Sequence, residues 1–202
     1  MSQDYFNLKG QEEKALARSI HVGALCRVEH FDPQRMRVDV QPLSRELDGG
    51  IYRASPPILG VPVALIRGGG LVLRPWYAAG DKGVLLYLDH DIDRIAASGE
   101  EGQPNTERNH ACEDAVFVGA FVPGSDPVQG LPEQALVMAA EEGDRPYIAL
   151  KKDGIEIKGN IKLTGDVTQV GRTVVSMDVV AAGKSLEKHI HPTPCGPSEA
   201  PK

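Results

Sequence analysis

Apolar and polar residues alternate along much of this chain, and the beat is cleanest toward its C-terminal end. From Ile155 to Gly171 the odd positions are Ile155, Ile157, Gly159, Ile161, Leu163, Gly165, Val167 and Gly171, apolar or small apart from Gln169. The even positions are polar except for Val170. Period two is the signature of strands with one buried face. Gly154, Gly159, Gly165 and Gly171 fall every five or six residues, a spacing that invites a β-helix with small corners. One thin strand path cannot bury that odd face by itself, whereas a symmetric assembly of chains can.

Upstream, Gln11 to Val28 predicts the one long helix. Leu16, Ile20, Gly23 and Ala24 recur at spacings of three and four behind Glu12, Glu13 and Lys14. Its end is blurred, because Val22 to Glu29 fits a strand as well. From His30 onward the texture is short strands and turns. Met36, Val38 and Val40 alternate with Arg35, Arg37 and Asp39. Arg45 to Ser55 reads as an exposed hairpin end around Gly49-Gly50, and Pro57 to Ile66 and Leu71 to Leu73 as strands about a Gly68-Gly69-Gly70 turn. Val84 to Leu88 is the most apolar strand, Asp89 to Ser98 leaves the sheet, and Ala115 to Val122 returns to it. Leu136 to Ala140 and Tyr147 to Leu150 predict two further strands beyond a Pro/Gly linker that starts at Pro123.

Short strands in this number, without a second long helix, predict a small antiparallel barrel or sandwich, with a five-stranded OB-like barrel preferred because it tolerates the long loop from Gly99 to Ala111. The expected fold class is mainly β. Residues 1–29 form an N-terminal segment with a helix, 30–125 an OB-fold domain and 126–134 a linker; 135–183 form a β-helix and 184–202 a terminal tip.

Composition narrows the function classes. The 202 residues suffice for one or two small domains, and aromatics at 5 %, with Trp76 the single tryptophan, leave few large core fillers. A net charge of −6 argues against nucleic-acid binding, which needs Lys and Arg on phosphates. Cys26, Cys112 and Cys195 are odd in number and form no CxxC pair, so reduced thiols in a cytoplasm are expected. Met1 to Gly10 is polar, and Ile58 to Ile66 is too short to span a bilayer, so the chain is expected to be made soluble in the cytoplasm.

The candidate chemistry is His189-Ile190-His191, on a tail of Pro, Gly, Ser and Thr. In a strand, residues i and i+2 face one side, so His189 and His191 point together. One chain supplies two imidazoles, too few to hold a metal firmly. Three chains about a threefold axis supply six, an octahedral set that suits iron, cobalt or nickel better than zinc. Cys195, near the pair, is a weaker ligand candidate. His21 and His30 read as ordinary. Asp89-His90-Asp91-Ile92-Asp93 imitates a calcium loop but lacks the Gly and later Glu of an EF-hand. No G-x-S-x-G, P-loop or H-E-x-x-H occurs, so no enzyme is expected.

Three passages carry a resemblance. Gly80-Asp81-Lys82-Gly83-Val84-Leu85-Leu86-Tyr87-Leu88-Asp89-His90-Asp91-Ile92-Asp93 and Arg108-Asn109-His110-Ala111-Cys112-Glu113-Asp114-Ala115 are two of them, and His189-Ile190-His191 with its tail is the third. With them the chain resembles the central spike, the membrane-piercing tip, of contractile-tailed bacteriophages, of the small type with an OB domain followed by a β-helix. The resemblance implies a homotrimeric virion protein, made in the host cytoplasm, whose intertwined β-helix ends in a tip. There His189 and His191 of three chains bind one iron ion. It implies docking to the tail tube or baseplate hub protein, transient contact with the host outer membrane, and structural roles for His110 and Asp114. The alternatives are a non-haem iron enzyme with Glu187 as carboxylate partner, and an OB-fold nucleic-acid binder.

Overall fold

The stretch that fits two periods is a strand. In the computed structural model, which describes residues 9–10, 20–141, 145–187, 192–193 and 196–197, β1 runs Gly23–Asp32. It takes the last residues of the predicted helix; residues 11–19 of that helix lie outside the described ones. Ala24, Cys26 and Val28 point inward on one face, which is why alternation wins over helical spacing here. An extra residue at Glu29 then shifts the register between Val28 and His30. The bulge turns Phe31 inward, where an unbroken alternation would have sent His30.

Two units make up the chain, residues 1–133 and 134–202. In the first, β1 is followed by β2 (Arg37–Pro42), the β3–β4 hairpin (Arg45–Asp48, Ile51–Ala54) and β5 (Ile58–Pro62). The β6–β7 hairpin (Ile66–Gly68, Leu71–Leu73), β8 (Lys82–Tyr87), helix α1 (Asp93–Ser98) and β9 (Ala115–Ala120) complete it. Five strands form one sheet in the order β5-β2-β1-β8-β9, all neighbours antiparallel. The sheet curls until its edges meet at one isolated parallel bridge, Val63 with Phe117, beside which the Ala64 N–H donates to the Phe117 carbonyl at 2.8 Å. The result is a curled half-barrel.

A second bulge, at Gly60 in β5, is held from the neighbouring strand. Asp39 accepts the Gly60 N–H at 2.7 Å and the Arg37 guanidinium donates to its carbonyl at 2.6 Å. The alternate residues of β2, Val38 and Val40, are buried beneath. With Cys26, Val28, Val61, Leu85 and Phe117 they make the core. Each such side chain contributes about 1.5–3 kcal/mol by leaving water. Four of the scarce aromatics form one chain of edge-to-face contacts, Trp76–Phe31–Tyr77–Phe117, with centroids 5.0–5.6 Å apart.

The second unit holds a three-stranded antiparallel meander: β10 (Leu136–Ala139), β11 (Tyr147–Lys151) and β12 (Gly154–Lys158). Residues 159–179 carry no strand within the single chain. Two short hairpins follow, β13–β14 (Val180–Ala181, Lys184–Ser185) and β15–β16 (Pro192–Thr193, Gly196–Pro197). Among the described residues no helix is long and apolar enough to cross a membrane.

Candidate functional site

The predicted ligands His189 and His191, and Cys195 beside them, lie outside the described residues. The run that leads to them is described. Ile155, Ile161, Leu163 and Val167 are each 59–70 % exposed, so these apolar odd positions stay largely open to solvent among the described residues. Gly159, Gly165 and Gly171 are six residues apart and share one backbone state, φ 122°, 116° and 128°. Side chains other than glycine rarely adopt it, so the corners of the path recur with the sequence period.

Register fixes the faces of the meander. Leu136 pairs with Leu150 and Met138 with Ile148; on the other side Leu150 pairs with Ile155 and Ile148 with Ile157. All six aliphatic residues share one face, and they are 44–73 % exposed. The opposite face is mixed: Val137, Ala139 and the buried Ala149 stand beside Tyr147, Lys151 and Glu156. Tyr147 Oη and Lys151 Nζ both donate to the Glu156 carboxylate. Lys151 first, and then Tyr147, hold that carboxyl below its usual range.

In the first unit the two loop passages of the resemblance meet in space. Arg108 donates through Nε to Asp114 Oδ2 at 3.1 Å and through Nη2 to Asp114 Oδ1 at 3.0 Å. The same Nη2 lies 3.3 Å from Asp91 Oδ1 and 3.2 Å from Asp93 Oδ2. Asp91 and Asp114 are buried. Asp114 also accepts the Ile92 N–H at 3.0 Å, and Asp91 accepts the Thr106 hydroxyl at 2.7 Å and the Asp93 N–H at 2.9 Å. These bonds, Thr106's foremost, hold the Asp91 carboxyl below its usual range, and the Asp114 carboxylate raises the Arg108 guanidinium above its own.

Carboxylate oxygens of Asp91, Asp93 and Asp114 lie within 4.8 Å of one another, close enough to share a cation. The guanidinium supplies that charge, so the passage that imitates a calcium loop is an ion-paired staple. It ties the exit of β8, the start of α1 and the entry to β9. Periodicity gave no sign of Arg108; it stood out only as the first residue of the second passage that carries the resemblance. His90 shares a hydrogen bond with Asn109 at 3.1 Å, and His110 Nδ1 stands 3.7 Å from Asp89 Oδ1 on a backbone at φ 50°. His21 sets its ring edge-on against Tyr87, and His30 lies 3.6 Å from Asp39, so both are surface packing residues.

The half-barrel and its stapled loop are similar to a known domain. Residues 25–120 match the family model of the phage protein Gp138 N-terminal domain. The chain is thereby marked as a phage protein. The matched segment begins inside β1 and ends with β9, so it spans nearly all of the curled sheet and the Arg108 staple. The second unit lies beyond it. No curated protein matches the chain.

Proposed function

We propose that this chain is a structural virion protein: the trimeric central spike at the tip of a contractile phage tail, driven through the host outer membrane during infection. The observation that carries the reading is the run of residues 155–171 behind a Gp138-type phage domain. Its apolar positions are exposed in one chain, and its glycine corners recur every six residues. Three copies wound about one axis bury those positions against each other as a β-helix. Intertwined strands are stiff, because none peels away without breaking ladders on its neighbours. That is the mechanical property a piercing tip needs.

The strand order β5-β2-β1-β8-β9, with its β5-to-β9 parallel contact, supports reading the half-barrel as an OB-type Greek-key collar. The collar would dock the spike to the tail tube or baseplate hub protein. The donor set at the tip fits a metal: His189 and His191 from three chains give six imidazole nitrogens, suited to an octahedral iron ion. Bound there, iron would cross-link three chain ends where termini otherwise fray.

The test is the solution mass by light scattering, with elemental analysis of the same peak. Three chains carrying about one iron support both parts of the reading. Three chains without metal retain the spike and remove the iron. A single chain overturns the spike, because the exposed run then has nothing to bury itself against.

A further inference from the structure

A cavity of about 360 Å³ lies in the first unit between β5, the start of α1 and the short turn Cys112–Asp114. Its size is within the range of ordinary ligand sites, about 300–1,000 Å³. Pro56, Pro57, Leu59 and Pro62 line it on the β5 side, and Ile92 and Ala96 on the helix side. Proline carries a carbonyl but no N–H, so the β5 side is rich in acceptors and poor in donors. The donors nearby are engaged. The Gly60 N–H goes to Asp39, the Arg37 guanidinium to the Gly60 carbonyl, and the Cys112 thiol to Glu113. Charge runs the same way. Asp93 and Glu113 line the cavity and are exposed. Beside Asp93, the staple also holds Asp91 and Asp114 on the single guanidinium of Arg108. Four carboxylates thus stand against two guanidinium groups, those of Arg37 and Arg108, and negative charge is left over.

We propose that this cavity is a docking site for an arginine side chain carried on an exposed segment of a partner protein. Arginine is the complement of such a lining, with five N–H donors on a planar fork and no acceptor. A fork suits two carboxylates on separate elements, Asp93 on α1 and Glu113 on the turn, better than the point charge of lysine. The aliphatic stem and the residues beside it have Pro57, Leu59, Ile92 and Ala96 to lie on. A free cation uses only the charge, and an exposed carboxylate alone holds a cation weakly. The apolar walls therefore favour a cation that brings a chain with it. The inference stands on the first unit alone and is independent of the spike reading.

Cys112 lines the cavity and is exposed, so its reaction rate with a disulfide reagent reads whether the cavity is filled. The test uses the full chain with Cys195→Ser. The probe is a capped tripeptide with arginine between two leucines. At about ten times its Kd it should slow the labelling of Cys112 about tenfold. The same tripeptide with citrulline, alike in shape but uncharged, should give no protection, and the lysine tripeptide should protect more weakly. Glu113→Gln, its rates compared with and without probe, should weaken the arginine tripeptide about two- to fivefold, as loss of one exposed ion pair does. Ala96→Phe fills the cavity from α1 and should abolish protection at an unchanged urea midpoint. If that variant loses its fold, Glu113→Gln decides alone. No protection by the arginine tripeptide, equal protection by the citrulline or lysine one, or full affinity in Glu113→Gln overturns the proposal. Equal protection by arginine amide alone also overturns it, because the site then takes a free cation rather than a protein segment.

Discussion

The ring of Phe117 lies against the backbone of Gly83, so close that a Cβ at position 83 would stand 2.2 Å from its Cε2 and 2.9 Å from the Gly119 carbonyl oxygen. Phe117 is fully buried and edge-on to Tyr77, so the ring has nowhere to swing. Gly83→Ala should therefore destabilise the half-barrel by about 1–3 kcal/mol, the usual cost of overpacking. A urea transition followed by Trp76 emission measures it, and a midpoint equal to the parent's would contradict the contact.

Arg108 compensates two buried carboxylates at once. Arg108→Ala leaves Asp91 and Asp114 charged and unpaired, and a loss of about 3–5 kcal/mol is expected. Arg108→Lys should recover only part of it, because an ammonium cannot reproduce the two-pronged contact with Asp114. The urea midpoints of the three proteins should rank Arg, Lys, Ala. Equal midpoints for Lys and Arg would show that charge alone matters.

Acid should weaken the same staple. The folded state holds the Asp91 carboxyl below its unfolded value of about 3.9. A depressed folded value gives stability that is complete above the unfolded one and is lost as pH falls through the folded one. Unfolding midpoints should thus be level above about pH 5 and drop below about pH 4. Thr106→Val removes the largest stabiliser of the ionised form, so its drop between pH 6 and pH 3 should be shallower. A drop identical to the parent's would assign the acid limb to other carboxylates.

The thiols should part company on reactivity. Burial pushes the Cys26 thiol up to about 11, whereas Cys112 is exposed. In a Cys195→Ser background at pH 8, a disulfide reagent should label Cys112 and reach Cys26 only on unfolding. The unfolded thiol ionises first as pH rises, so Cys26 also takes stability away between about pH 9 and 11. Cys26→Ala should flatten that limb, and two fast thiols in the native protein would contradict the burial.

Much of the half-barrel was legible because its strands alternate. Val38 and Val40 against Arg37 and Asp39 gave β2; the uniformly apolar Val84 to Leu88 gave β8 as a strand, but only the structure shows Leu85 and Tyr87 as its buried face. Residues 23–28 misled because Ile20, Gly23 and Ala24 satisfy helical spacing while Ala24, Cys26 and Val28 satisfy a strand. Pairing with β2 and β8 decided between them, and no local pattern contains that pairing. The bulges at Glu29 and Gly60 were hidden for the same reason. The staple was invisible to periodicity because Asp91, Arg108 and Asp114 are brought together by a loop rather than by a repeat. The six-residue face of the meander was half seen: Ile155 and Ile157 stood in the alternating run, and Leu136, Met138, Ile148 and Leu150 joined them only through strand register.

The seam between β5 and β9 has one further consequence. A ladder shares its protection over many amides, but here the Ala64 N–H on the Phe117 carbonyl stands beside a single bridge. Its hydrogen-exchange rate is therefore a one-atom gauge of how often the half-barrel breathes open. Read against the Val28 amide, which donates to Asp81 in the interior at 2.7 Å, it separates opening of the seam from unfolding of the sheet.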